Sequence, residues 1–118
     1  MKNKSDKPTV KLEGEAAVRQ IYQLMGLAKR AGFAQGGEFL AEKAVRSGRS
    51  CLLIVAGDAS DNTKKKFSDM CSFHETPFYV FSDKDSLGHA IGTEFRASVT
   101  INNAGMARKI IELLNSNE

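Results

Sequence analysis

Residues 51–56, Cys-Leu-Leu-Ile-Val-Ala, constrain the fold more than any other part of the chain. A run this short reads as a strand, and because it is apolar on both faces it must be covered on both sides. A chain of 118 residues has room for one core, so the covering elements must come from nearby sequence. From Glu15 the pattern turns helical: Val18, Ile21, Tyr22, Met25 and Ala28 recur at i, i+3, i+4 spacing, with Arg19, Gln20, Gln23 and Lys29 opposite. Gly32 is placed to end this helix, after Lys29 and Arg30 have complemented its dipole. Residues 33–35 leave space only for a very short strand.

Gly36-Gly37 signals a turn, and residues 38–47 read as a second helix closed by Gly48. Beyond the central strand, residues 57–60 lead into a third helix with Phe67, Met70 and Cys71 inside and Lys64, Lys65 and Lys66 in its first two turns. Residues 77–81 read as a strand. Ser82 and Asp85 have capping-box spacing for a short helix carrying Leu87, Ala90 and Ile91. Residues 97–101 make a last strand and 106–114 a terminal helix. This alternation predicts an α/β fold, a three-layer α-β-α sandwich with a four-stranded mixed sheet. Residues 1–14, with Lys2, Lys4, Lys7 and Lys11 and no periodicity, are expected to be a flexible basic tail, and 15–118 a single domain.

Charge is distributed unevenly. Residues 1–49 hold ten Lys/Arg against five Asp/Glu, whereas 50–118 hold seven against nine. The sign asymmetry suggests a basic face of the kind that meets a phosphate backbone, though a solvated basic surface fits it equally. No run approaches the roughly 18 apolar residues of a membrane span. The lysine-rich N-terminus has no apolar segment of the secretory type, so a cytoplasmic protein with no membrane partner is expected. Cys51 and Cys71 lack CxxC spacing and read as small buried hydrophobes.

Catalytic patterns are missing from the sequence. The glycines at 32, 36 and 37 fit neither GxGxxG nor a P-loop. His74 stands three residues after Cys71, but no third group is evident to orient it. Asp58, Asp61, Asp83 and Asp85 sit where helices begin, as capping residues do. The expectation is a non-enzyme with no cofactor, no metal and no small-molecule substrate.

Two segments have a chemistry suited to RNA. Gly36 and Gly37 allow another backbone to approach a helix N-terminus closely, and that terminus offers amide donors and positive potential to a phosphate. Glu38 opens the helix, Leu40/Ala44 and Ala41/Val45 are i, i+4 pairs expected to seat it, and Lys43 and Arg46 can reach a sugar-phosphate backbone. An ordinary helix with a Glu42–Arg46 surface pair fits the same residues. The second segment is the polar loop Thr93, Glu94, Phe95 and Arg96. There an aromatic ring beside a guanidinium suits base stacking with phosphate support, and a ring tucked into the core edge is the alternative.

Taken in order, GGEFLAEKAVRSG, CLLIVAGDAS, SLGHAIG and ASVTI resemble the kink-turn-binding family of large-subunit ribosomal proteins, most of all its bacterial YlxQ-type members. The resemblance covers about residues 18–111. It implies an α-β-α sandwich that grips sharply kinked RNA in ribosomal or other non-coding RNA, with the ribosome as a possible wider partner. By that resemblance Gly37 matches the helix-opening glycine, Lys43 the helix lysine and Asp58 the acidic position after the central strand. Thr93, Glu94, Phe95 and Arg96 match the loop that contacts flipped-out bases. The chain departs from the pattern at Phe39-Leu40, where the family's Asn-Glu pair hydrogen-bonds sheared G·A pairs, and at Ser47, where arginine is usual. A protein-interaction module that kept the fold, with Phe39 and Leu40 in a docking patch, is the rival expectation.

Overall fold

The computed structural model describes residues 9–12 and 14–116 of the protein. Its elements run β1 (Thr9–Val10), α1 (Glu15–Arg30), β2 (Ala34–Gly36), α2 (Glu38–Arg46), β3 (Leu52–Val55), α3 (Asp61–His74), β4 (Phe78–Phe81), α4 (Lys84–Ala90), β5 (Ser98–Ile101) and α5 (Ala104–Leu114). The sheet order is β1-β4-β3-β5-β2. β1, β4 and β3 are parallel neighbours, and β5 runs antiparallel to both β3 and β2.

The α/β sandwich is as expected, but the sheet has five strands where four were predicted. The fifth, β1, falls inside the segment expected to be a tail: Thr9 pairs with Val80 and Val10 with Phe81. Two residues carry no readable periodicity, and only the exposed edge of β4 makes a strand of them. Residues 1–8 and 13 of the expected tail lie outside the described residues.

Every residue of β3 and β5 is buried, which requires cover on both faces. α1 packs with α4 and α5 as one helical layer, and α2 packs with α3 as the other. The apolar stripes fill the space between: Ile21, Met25 and Ala28 from α1, Phe67, Met70 and Cys71 from α3. Burying one such large side chain as fully as Phe67 is worth about 1.5–3 kcal/mol. Leu40 is a correction. It is 38% exposed, and Ala41, Ala44 and Val45 alone seat α2.

Helix ends follow local chemistry. After α1, Gly32 at φ +84° lets its own amide reach the Lys29 carbonyl at 3.0 Å and the Phe33 amide reach that of Ala28 at 2.7 Å. Gly48 ends α2 the same way, through Val45 and Ala44. The predicted Ser82 cap is replaced by the next residue: Asp83 Oδ1 accepts from the Ser86 amide at 2.7 Å. Ser82 instead shares a 2.7 Å hydrogen bond with the Tyr22 hydroxyl, 60 residues away.

The register fixes where the candidate residues meet. Gly36 opposes Val99, and Val55 opposes both Ser98 and Val80. The carboxyl ends of β2, β3 and β4 and the start of β5 therefore lie at one end of the sheet. The segments after β2 and β3 and the loop before β5 emerge there together.

Candidate nucleic-acid interface

Gly37 stands before α2 with φ +105° and ψ 154°, a backbone conformation that is essentially glycine-only. Its amide donates to the Ser98 carbonyl at 3.0 Å, which ties the start of α2 to β5. Gly37 has no side chain with which to cap α2, so among the described residues the first-turn amides are left to an outside acceptor. Gly36 is needed for space. A Cβ there would sit 2.6 Å from Ile91 Cδ1 and 3.0 Å from Arg96 Cγ, so the Arg96 stem lies across the glycine pair.

That contact joins the two predicted segments. The 93–96 loop is held from below by Gly88 of α4, where a Cβ would overlap the backbone of Glu94 and lie 2.9 Å from Phe95 Cα. The Thr93 amide donates to the Gly88 carbonyl at 2.9 Å, and the Arg96 amide to that of Lys84 at 3.0 Å. So held, Phe95 is 63% exposed, while Arg96 is partly covered. The alternative of a core-edge ring with a solvated arginine is reversed. Lys84 Nζ stands 5.9 Å from the centroid of the Phe95 ring, within cation–π range. Beside the loop, a cleft of about 590 Å³ runs between α1 and α4, lined by Tyr22, Asp85, His89, Glu94 and Phe95 among others.

Asp58 has a structural contact. Its Oδ1 accepts from the Lys84 amide at 2.9 Å, so it holds the start of α4 beside the loop. Glu38 also has a partner: Lys66 Nζ lies 2.9 Å from Glu38 and 2.8 Å from Glu42, whose other oxygen accepts from Arg46 Nε at 2.9 Å. The Lys66 hydrogen bond, followed by that of Arg46, holds the Glu42 carboxyl below its ordinary range. Glu42 and then Glu38 raise the Lys66 ammonium. Lys43 is exposed and has no ion pair among the described residues, so it is available to a phosphate.

Three contributors were not legible as such. Lys66 belongs to a lysine run visible in the sequence, but its pairing with Glu38 spans 28 residues. Lys84 gave no signal. Gly88 did give one: a glycine inside a helix costs about 1 kcal/mol relative to alanine, and its usual compensation is a close packing contact. His74 packs edge-on against Phe73 at 5.0 Å, and neither cysteine is in a disulfide. No helix among the described residues is long and apolar enough to cross a membrane.

An α/β sandwich that presents a glycine-led helix and an aromatic-cationic loop at one end of its sheet defines a class of protein. The model of the ribosomal protein L7Ae/L30e/S12e/Gadd45 family matches residues 19–111. The chain belongs to that family, as the resemblance in its sequence implied. Over 93 residues it is 39% identical to the RNA-binding protein YlxQ of Bacillus subtilis, covering 79% of this chain and 93% of that one. The Enterococcus faecium RNA-binding protein YlxQ is 36% identical over 96 residues, 81% of this chain and 92% of its own. Among solved structures, a protein with unknown function from Bacillus halodurans C superposes with a TM-score of 0.78 at 36% identity, over 81% of this chain and 97% of that one. The 15.5kD RNA binding protein of Giardia lamblia has a TM-score of 0.77 over 99% of this chain and 97% of its own. At 18% identity it speaks for the fold alone.

Proposed function

We propose that this protein is a cytoplasmic RNA-binding accessory factor of the ribosome or translation machinery, acting on structured RNA by binding and without catalysis. One observation carries the reading: Arg96 lies across Gly36 and Gly37, so the start of α2 and the Phe95 loop form one continuous surface. A phosphate meets the uncapped amides of α2, Lys43 and Arg46 follow the backbone, and Phe95 with Arg96 engages an unstacked base. Asp58 and Glu38 take part indirectly, by holding α4 and the α2–α3 pair in place. The names of the YlxQ relatives support RNA as the partner.

Kink-turn RNA is the family's characteristic target by resemblance, and Phe39 and Leu40 alter how this chain would read it. Both side chains are exposed, and as hydrocarbons they offer no donors or acceptors to G·A pairs. A lost bidentate base contact is worth about 1–3 kcal/mol by analogy with groove readout in DNA. A kink-turn and the same RNA with its G·A pairs destroyed should then bind within about tenfold of each other. A hundredfold preference for the intact motif would assign its reading to other residues.

The wider test is salt titration of binding to structured RNA. The log–log slope should be of order −2 to −4, and Lys43→Ala should flatten it by about one unit. Phe95→Ala should weaken binding about ten- to a hundredfold, the worth of one stacked base, with little change in melting. A slope near zero, together with an inert Phe95→Ala, would remove RNA as the partner and favour a protein-interaction module.

A further inference from the structure

Phe39 is 76% exposed in the first turn of α2, although the core beneath that helix is complete without it. The ring is therefore free to meet a partner. Phe39, Lys43 and Arg46 stand at i, i+4 and i+7, which puts them in one stripe, about 6 Å and then about 4.5 Å apart along the axis. The three line a single groove of about 480 Å³ with Glu42 and Ser47.

We propose that this stripe is a second nucleotide site, distinct from the Phe95 loop, which takes one unpaired nucleotide of the bound RNA. The base stacks on Phe39, and the phosphates beside it meet Lys43 and Arg46. The inference rests on the RNA-binding reading and adds what α2 recognises in place of a hydrogen-bonded base pair.

Charge favours a nucleotide over a protein side chain. Apart from the ring, the groove is lined by charged or polar residues, so its mainly apolar surface is the ring and the aliphatic stems of its neighbours, and Leu40 is not among them. A stacked base fits that surface while Lys43 and Arg46 meet its phosphates, whereas an apolar side chain would leave both cations unmet. The acidic groups of this face are engaged already: Lys66 bridges Glu38 and Glu42. Arg46 meets Glu42 only through Nε, which leaves its terminal nitrogens to donate to a phosphate. Lys43 has no ion pair among the described residues. A ring also has no donor or acceptor with which to select a base edge, so the site should tolerate any base, as stacking platforms do.

The test uses two RNA hairpins whose strands are joined by the same non-nucleotide linker, one with a single bulged 2-aminopurine and one fully paired, and Phe95→Ala protein so that the loop ring does not contribute. The bulged hairpin should bind more tightly, and its 2-aminopurine should be quenched on binding. Adding Phe39→Ala should weaken the bulged hairpin about ten- to a hundredfold and abolish the quenching, leaving the paired hairpin unchanged. Phe39→Trp should restore both. If the Phe39→Ala protein keeps the bulge preference and the quenching, the second site is wrong while RNA binding stands. If neither hairpin binds the wild-type protein, both readings fall together.

Discussion

α2 and α3 pack against each other in one layer, yet they begin in opposite ways. α3 is finished locally: Ser60 Oγ accepts from the Thr63 amide at 3.1 Å, three residues on. α2 opens from a glycine whose φ is +105°, with no side-chain cap, and its position comes from the Gly37 amide bonding to β5 and from Arg96 lying across Gly36. A helix capped by its own sequence presents a satisfied terminus. A helix placed by its neighbours and left uncapped presents donors, and α2 is the one that emerges beside the Phe95 loop.

Substituting the two openings is the sharpest way to break that contrast. Gly37→Ala should have the largest effect, because the glycine-only conformation costs an alanine about 1–3 kcal/mol. Thermal unfolding should show that loss. RNA affinity should fall more than tenfold, since relaxing the strain shifts the start of α2. Stability lost without any loss of affinity would mean that the helix terminus is not part of the interface.

Ser60→Ala comes next. Loss of an N-cap typically costs about 1 kcal/mol, which denaturant unfolding would measure. RNA binding should be unchanged, because α3 meets its own needs. A matching drop in affinity would show that the two helix openings are not functionally different.

The smallest effect concerns the ions that join the helices. Lys66→Ala removes the bridge to Glu38 and Glu42, and since these groups are partly exposed and solvent-screened it should cost under about 1 kcal/mol. Its pH dependence has two ends. Glu42 titrates below its ordinary 4.5, so its share of stability is complete above that value and lost as pH falls through the lowered one. Lys66 titrates above its ordinary 10.5, so its share is complete below that value and lost as pH rises through the raised one. The stability difference between wild type and Lys66→Ala should be flat between 4.5 and 10.5 and should shrink in high salt. A difference that varies across that window would point to another partner for Lys66.

The sequence stated much of this structure in local terms. Gly32 and Gly48 end helices, 51–56 holds a strand buried on both faces, and the apolar stripes of α1 and α3 are the ones that pack. Leu40 misled because its i, i+4 relation to Ala44 holds on a helix in isolation, whereas the sheet selects the face that carries Ala41, Ala44 and Val45. Ser82 misled for a related reason. Its spacing to Asp85 suits a cap, but its hydroxyl is drawn to Tyr22 and its backbone is left-handed at φ +67°.

By itself the sequence determined the order of the elements from α1 onward, the positions of most helix ends, the family and the composition of the two surface segments. All of these depend on interactions within a few residues or on periodicity along one element. Tertiary structure alone decided that Thr9–Val10 is a strand, that Asp58 holds the Lys84 amide, that Lys66 serves α2, and that Phe39 and Phe95 stand in solvent. Each of these depends on which distant group happens to lie opposite. The pattern of one segment does not name its partner in another, because pairing is chosen by the packing of the whole core.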